Sequence, residues 1–295
     1  MARPALSASR SLDVLDLLTA FPEGAFTLSE ISSATRVNVA SCHAVLCVLV
    51  ERGYLTRCPK QKTYSLGPAL VAVGQSAMKS QPLLSLAKAA AERLAAELGL
   101  PLLLSGISGD AVVGIVSIPD AAGRSPGLRV GQRMPLMPPA GAPFLAWSPD
   151  EAIDAWIARN TALKDPKLIE DWRRTLRAIR NRGFQLTLRA GDMGEMAKLL
   201  NQMSSGAQAV KFKDRVTGLM SMADREIPLP EEIELDRLYD VALIASPIFD
   251  ETGAATYNLC IGDIPGQTSG RTIMDHAHRL MRSCTEVMTE HRRRA

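Results

Sequence analysis

The stretch that decides the fold of the first part of the chain is TLSEISSATRVNVASCHAVLCVLVERG, residues 27–53. It opens with Thr27-Leu28-Ser29-Glu30, a capping-box pattern in which the Thr hydroxyl and the Glu carboxylate satisfy free amides at a helix start. After a tight turn through residues 35–37, a second helix is predicted from Asn38 to Arg52, where a polar cap precedes a stripe of Val and Leu. Gly53 ends this pattern. The stretch therefore predicts two helices joined by a short turn.

One more helix is predicted before this pair, and a basic hairpin after it. Apolar residues recur at helical spacing from Ser11 to Ala20. Residues 54–57 and 63–66 are strand-like runs separated by the basic turn Cys58-Pro59-Lys60-Gln61-Lys62. Helix, helix, turn, helix and basic hairpin is the order of a winged helix-turn-helix, in which the third helix enters the major groove of DNA.

The candidate DNA-contacting residues follow from this geometry, because the whole-chain charge of +3 does not by itself demand a nucleic-acid partner. The first 80 residues carry eight basic against five acidic side chains. The start of the third helix is expected to face the bases and the wing is expected to meet phosphate. For His43 a solvated surface position is an equal alternative. The predicted set is Arg10, Thr27, Asn38, Ala40, Ser41, His43, Ala44, Lys60 and Lys62.

The rest of the chain predicts an α+β domain with one sheet packed by helices. An Ala- and Leu-rich segment from Pro68 to Leu98, broken at Gln81-Pro82, predicts a linker helix followed by a second helix. Strands, helix starts and a closing hairpin follow. They are predicted at 102–107 and 112–118 for the first strands, at Ser148-Pro149-Asp150-Glu151 and Asp165-Pro166 for the helix starts, at 241–249 and 256–261 for the hairpin, and from about Thr268 for the last helix.

The chain resembles the IclR family of bacterial transcription regulators over nearly its whole length. The order and spacing of short motifs carry the resemblance: 10–15 (RSLDVL), 28–31 (LSEI), 51–55 (ERGYL), 64–68 (YSLGP), 130–136 (VGQRMPL), 179–184 (IRNRGF) and 244–250 (IASPIFD). The resemblance implies a winged helix-turn-helix at 1–67, a linker helix at 68–82 and a GAF-like effector-binding and oligomerisation domain at 83–295. It also implies dimers or tetramers and small, often acidic or aromatic, ligands.

Three departures from the family pattern affect these expectations. Val39 and Ala44 stand where basic residues are common, so base readout is weaker or relies on the wing. Residues 137–144 (MPPAGAPF) replace a more polar run, which favours an apolar or aromatic effector. An insertion near 187–238 carries a helical pattern at 193–203 and a Met-rich run at 219–222.

The final hairpin of the family lines the effector pocket, and the matching positions here supply most of the predicted ligand contacts. Asn258 and Cys260 are the polar members at the place where the family holds an anionic group. The predicted effector-binding set is Met134, Leu136, Ala140, Gly141, Leu243, Asn258, Cys260 and Gly262.

Other function classes find little support in the sequence. No nucleophile-elbow, zinc-protease, P-loop or dinucleotide fingerprint is present, so neither an enzyme nor a cofactor is expected. The five scattered cysteines indicate reduced thiols. His276 and His278 point to different helix faces, so no metal site is expected with Cys284. No signal peptide or membrane span is evident, which predicts a cytoplasmic protein.

The predicted function is therefore a DNA-binding transcriptional regulator whose operator binding is controlled by an organic acid or aromatic effector. Its expected partners are double-stranded operator DNA, the effector and further copies of the chain, as a homodimer or a dimer of dimers. The alternative is a metabolite-binding or interaction module with a weakened DNA-binding domain.

Overall fold

The chain divides between Gln81 and Pro82 into two units, each with its own core. The computed structural model describes residues 5–22, 24–160, 163–189 and 232–294. The predicted patterns at 193–203 and 219–222 lie outside the described residues. Mixed helix and sheet content agrees with the predicted α+β class.

The first unit has the element order of a winged helix-turn-helix. Its elements are α1 (Leu6–Ala20), β1 (Phe26–Thr27), α2 (Leu28–Thr35), α3 (Val39–Glu51), β2 (Leu55–Cys58), β3 (Thr63–Leu66) and α4 (Ala69–Ser80). The strands form an antiparallel sheet in the order β1-β3-β2. Helix α1 begins five residues before the predicted Ser11, because its exposed first turns carry no apolar stripe that the pattern could detect. Strand β1 was not predicted, and it is held only by pairing with β3.

Helices α2 and α3 meet at 112°, within the range of helix-turn-helix motifs. Among the described residues no single helix is long and apolar enough to cross a membrane; α2 and α3 reach that length and apolarity only as this bent pair. Phe26, Ile31, Leu46 and Leu55 are almost completely buried between the helices and the sheet. This core fixes which side of α3 faces inward.

The second unit is built on an antiparallel sheet covered by helices. Its elements are α5 (Pro82–Leu98), β4 (Leu102–Ser108), β5 (Ala111–Ile118), β6 (Arg133–Pro135), α6 (Ala142–Leu145), α7 (Asp150–Ala158), α8 (Pro166–Arg182), β7 (Gln185–Leu188), β8 (Leu238–Phe249), β9 (Ala255–Gly262), β10 (Gln267–Ser269) and α9 (Gly270–Arg294). The strand order is β10-β8-β9-β4-β5-β6, and β7 also pairs with β8.

The two faces of this sheet have different roles because side chains alternate along each strand. Leu102, Leu104, Leu259 and Ile261 are fully buried on one face, and α5 and α9 pack against the sheet and each other. On the other face Leu103 and Cys260 are direct cross-strand neighbours. Together with Leu128 and Ala245 they form a separate small cluster. This second face carries the cavity described below.

Local signals set the helix ends of the second unit, with one correction. Asp165 caps α8 by accepting a hydrogen bond from the Lys167 amide at 2.9 Å, and Gly183 ends it with φ of 87°. Ser148 was predicted to cap α7 with Pro149 in the first turn. Instead Pro149 itself occupies the cap position, and the Ser148 hydroxyl donates to the Phe144 carbonyl at 3.5 Å. The serine hydroxyl therefore bonds a carbonyl of the preceding turn and does not cap α7.

Candidate functional site

The start of α3 is fixed by its cap. Asn38 Oδ1 accepts a hydrogen bond from the Ser41 amide at 2.9 Å, which satisfies one of the free N–H groups of the first turn. The preceding turn passes through Arg36, whose φ of 55° lies in the left-handed region. Asn38 is exposed, but its side-chain oxygen Oδ1 already accepts the hydrogen bond from Ser41. The geometry therefore gives Asn38 a capping role, and only its Nδ2 is free for a base.

The outward face of α3 is mostly apolar. Val39 and Val48 are each 54% exposed. His43 also faces solvent, and its ring nitrogens lie 3.7 and 3.8 Å from Cys47 Sγ. Residues 38–51 include no Lys or Arg. The exposed members of the helix are Val39, Ala40, His43, Ala44, Cys47, Val48 and Glu51. This surface offers van der Waals contact and one imidazole, but no cation.

The cations lie on the wing instead. Lys60 and Lys62 are exposed in the turn between β2 and β3, and neither forms an ion pair within the described residues. Arg57, one residue before the end of β2, is also exposed and lies over the Tyr64 ring at 5.8 Å from its centroid. The wing therefore presents positive charge beside a helix that carries no cation.

Three further predicted DNA contacts are less exposed. The Thr27 hydroxyl donates to Glu30 Oε2 at 2.9 Å and accepts from the Glu30 amide at 3.3 Å, so it serves the capping box. That engagement argues against the predicted contact between Thr27 and DNA. Arg10 on α1 and Ser41 on α3 are partly buried. The exposed candidates on the helix and wing are thus the best placed.

The second unit contains a cavity of about 230 Å³ on the sheet face that carries Leu103 and Cys260. Six of the eight predicted effector-binding residues line it, namely Met134, Ala140, Gly141, Leu243, Asn258 and Cys260. The remaining walls are largely apolar and include Leu103, Leu128, Pro143, Phe144 and Ala245. The site is a partly open, mainly hydrophobic pocket with a few polar groups, as is usual for small-molecule sites.

Leu136 and Gly262 do not line the cavity. Leu136 packs into the core formed with Trp156 and Phe144. Gly262 is needed for close approach: a Cβ there would lie 2.6 Å from the Pro126 carbonyl oxygen. It therefore allows residues 125–128 to lie against the end of β9, where they form part of the cavity wall. The role of Gly262 is steric and indirect.

The predicted polar pair forms one hydrogen-bonded unit. Asn258 Nδ2 donates to Cys260 Sγ at 3.1 Å. Burial, together with the nearby Cys284, raises the pKa of the Cys260 thiol to about 12, despite the opposing hydrogen bond from Asn258. The thiol is therefore neutral near pH 7, which favours the inert interpretation over a redox sensor. Asn258 Oδ1 is buried and receives no hydrogen bond within the described part of the chain.

Arg189 is a charged cavity residue that was not predicted from the sequence. Its Nε donates to Asp240 at 3.0 Å and its Nη1 to Asp263 at 3.1 Å. Its Nη2 donates to the carbonyls of Val241 and Ile264. Burial alone would lower its pKa, but the two carboxylates raise it, so the guanidinium is always charged. The only sequence signal was a basic residue near the start of the predicted insertion.

Helix α7 and the residues after it position the loop that closes the cavity. Trp156 Nε1 donates to the Ala140 carbonyl at 2.9 Å, and Arg159 Nη1 donates to the Leu136 carbonyl at 3.1 Å. Asn160 Nδ2 donates to the Pro138 carbonyl at 3.3 Å. Three side chains of one segment therefore hold the backbone on which Ala140 and Gly141 reach the cavity. None of these positioning residues was predicted.

The fold and these surfaces define a winged helix-turn-helix DNA-binding protein with a second, cavity-bearing unit. Residues 7–59 match the IclR helix-turn-helix domain. The chain is 28% identical over 209 residues to the DNA-binding transcriptional repressor YiaJ of Escherichia coli K12, which covers 65% of this chain and 71% of that relative.

Solved structures extend the likeness in fold to both units. The IclR transcriptional regulator from Alicyclobacillus acidocaldarius has a TM-score of 0.71 at 20% identity, covering 97% of this chain and 99% of that one. An IclR homolog from Microbacterium hydrocarbonoxydans, complexed with 4-hydroxybenzoate, has a TM-score of 0.62 at 16% identity, with the same coverage. The chain thus carries an IclR-type helix-turn-helix domain and is similar to DNA-binding transcriptional regulators of the IclR family. These similarities indicate a DNA-binding transcriptional regulator.

Proposed function

We propose that this cytoplasmic regulator binds double-stranded operator DNA as a homodimer or dimer of dimers, and that a small effector in the cavity controls this binding. The observation that supports this proposal most directly is the outward face of α3 beside a wing whose lysines form no ion pair within the described residues. Such a surface satisfies both needs of a DNA interface, shape for the major groove and positive charge for phosphate.

The two parts of the interface divide the work. Lys60 and Lys62 contact phosphate, which supplies affinity without sequence information. The start of α3 supplies base readout through Asn38 Nδ2, Ser41 and His43, and through contact of Val39, Ala40 and Ala44 with thymine methyl groups. Because α3 has no cation, phosphate attraction comes from its neighbours, chiefly the wing.

The oligomer is supported by apolar surface that the first unit leaves uncovered. Helix α4 has no buried residue, and its Val71 and Val73 are 63% and 49% exposed. Leu6 and Leu12 of α1 are also exposed. An isolated helix of this length is marginal in water, so α4 needs a packing partner. A second copy of the chain supplies that partner and the second recognition helix.

The effector site is supported by the cavity and by a relative of the same fold whose structure was solved with 4-hydroxybenzoate. An effector changes operator affinity only if it binds the DNA-competent and DNA-incompetent states with different affinity. The linker helix predicted at 68–82 is the segment through which that difference reaches the first unit.

The test begins with selection of binding sites from random double-stranded DNA by the full-length protein. Fluorescence anisotropy then compares the selected site with a scrambled duplex at several salt concentrations, and ultracentrifugation gives the stoichiometry. We expect a two-half-site sequence bound by two copies. A failure to enrich any sequence would refute the operator proposal.

A second candidate function follows from the missing cations of α3, namely a ligand-binding module with a weakened DNA domain. It predicts only nonspecific binding that weakens steeply with salt. A thermal-shift screen with aromatic and organic acids, including 4-hydroxybenzoate, would still report ligand binding in that case. The two functions therefore differ in the ratio of selected to scrambled DNA affinity.

A further inference from the structure

The charge inside the cavity differs from what the family resemblance implies. Of the residues that line it, Arg189 and Asp263 are the charged ones, and they form an ion pair with each other. Arg189 also pairs with Asp240. One cation therefore faces two carboxylates, so this group is net negative. A carboxylate ligand would meet an anionic cluster without a free cation among the described residues.

The remaining hydrogen-bonding capacity of Arg189 is small. A guanidinium has five N–H donors, and four of them serve Asp240, Asp263 and two backbone carbonyls. Turning the side chain toward a ligand would leave buried carbonyls and two carboxylates without their donor, which is costly. Arg189 thus holds the cavity edge together and is not available as an anion holder.

Asn258 has an unsatisfied hydrogen-bond acceptor at the cavity. Its side chain lines the cavity, the residue is only 5% exposed, and Oδ1 has no donor within the described residues. Buried polar atoms are normally hydrogen-bonded. The neighbouring Cys260 thiol accepts from Asn258 Nδ2. A ligand that donates one hydrogen bond would complete this pair.

We infer that the cavity selects an uncharged ligand, an apolar ring or branched chain carrying one hydroxyl or amide N–H that donates to Asn258 Oδ1, and that it rejects carboxylates. This rests on the proposal that the cavity is the effector site. The volume agrees, because a cavity of about 150 Å³ already accepts benzene and this one measures about 230 Å³. Apolar walls supply the affinity and the amide supplies the orientation.

The experiment uses matched probes that differ in charge and little in shape. Benzyl alcohol and benzamide are compared with benzoate and phenylacetate by ligand-observed NMR and thermal shift on the full-length protein near neutral pH. We expect the uncharged probes to bind at least about tenfold more tightly than the carboxylates, a difference of about 1.4 kcal/mol.

Two variants reverse or remove this preference. Asp240→Asn/Asp263→Asn keeps oxygen acceptors for Arg189 but removes both negative charges, and asparagine tolerates the φ of 46° at position 263. We expect it to gain about tenfold in benzoate affinity. Asn258→Leu should lose benzyl alcohol and retain toluene. If the double variant is unstable, the single variant Asp240→Asn replaces it in the same assay. The Asp240 side chain is about half exposed, so this change should perturb folding little.

The control and the outcomes separate this inference from the proposed function. Asp236→Asn removes an exposed carboxylate paired with Arg271, which does not line the cavity, and should leave all probe affinities unchanged. Tighter binding of carboxylates to the wild type would overturn the inference while leaving an effector site in place. Binding of neither series, even at millimolar concentration, would overturn the effector site itself and with it the inference.

Discussion

The wing lysines give the sharpest test of the proposed DNA interface. Lys60→Gln/Lys62→Gln removes two exposed charges that form no ion pair within the described residues, so folding should be little affected. A dimer with two wings then loses up to four phosphate contacts. Each contact contributes about 0.9 to the slope of log affinity against log salt, so the slope should fall by about 3.6. If the wild type and the variant bind equally at about 1 M salt, the variant should bind the operator about 4000-fold more weakly than the wild type at about 0.1 M salt.

The assay is fluorescence anisotropy with the selected operator across a salt series, for the wild type and the variant. If only one lysine of each wing reaches phosphate, the slope falls by about 1.8 and the loss is about 60-fold. Lys88→Gln is the matched control, because Lys88 is an exposed lysine on α5 of the second unit, 3.9 Å from Glu92. Parallel salt lines for the wild type and the wing variant would refute the placement of the wing on phosphate.

Three further predictions test the recognition helix and the cavity wall. Asn38→Ala should lower stability to urea by about 1 kcal/mol because α3 loses its cap, whereas Asn38→Ser should retain it; equal losses would contradict the capping role. Replacing thymine by uracil in the selected operator removes C5 methyl groups and should weaken binding about tenfold. Unchanged affinity would exclude methyl readout by Val39, Ala40 and Ala44. Gly262→Ala should cost about 1 to 3 kcal/mol of stability and weaken probe binding in the cavity. Wild-type probe affinity would show that residues 125–128 are not held by this glycine.

The predictable parts of the fold are those in which neighbouring residues act on one another. The Thr27–Glu30 capping box and the Asp165 cap are both local, and the structure agrees with each. Strand β1 was not predicted, because a strand of two residues is too short to show an alternating pattern and is defined by its pairing with β3. The cap of α7 was misassigned because Ser148 and Pro149 offer two readings that sequence spacing does not separate.

The cavity shows the complementary limit. Its hairpin residues could be assigned from the family resemblance, since Leu243, Asn258 and Cys260 lie on the same face of the β8–β9 hairpin and line the cavity. The role of Arg189 could not, because its carboxylate partners lie 51 and 74 residues away. Read alone, a basic residue beside a pocket favours an acidic ligand. Together with Asp240 and Asp263 it favours an uncharged ligand, because the two carboxylates neutralise the guanidinium. The ligand class therefore depends on these carboxylates as much as on the cation.

An uncharged effector also constrains how regulation can work. Moving a two-state equilibrium from 1:99 to 99:1 requires a differential affinity of about ten-thousand-fold, or about 5.5 kcal/mol. One hydrogen bond to Asn258 contributes about 1 kcal/mol, far less than this. At about 25 cal/mol per Å², the rest corresponds to roughly 180 Å² of apolar surface buried in one state and exposed in the other, an area comparable to that of a whole aromatic side chain. Full switching therefore requires the apolar walls around Leu128 and Phe144 to enclose the ligand in one state and release it in the other, while Asn258 sets which ligand is enclosed.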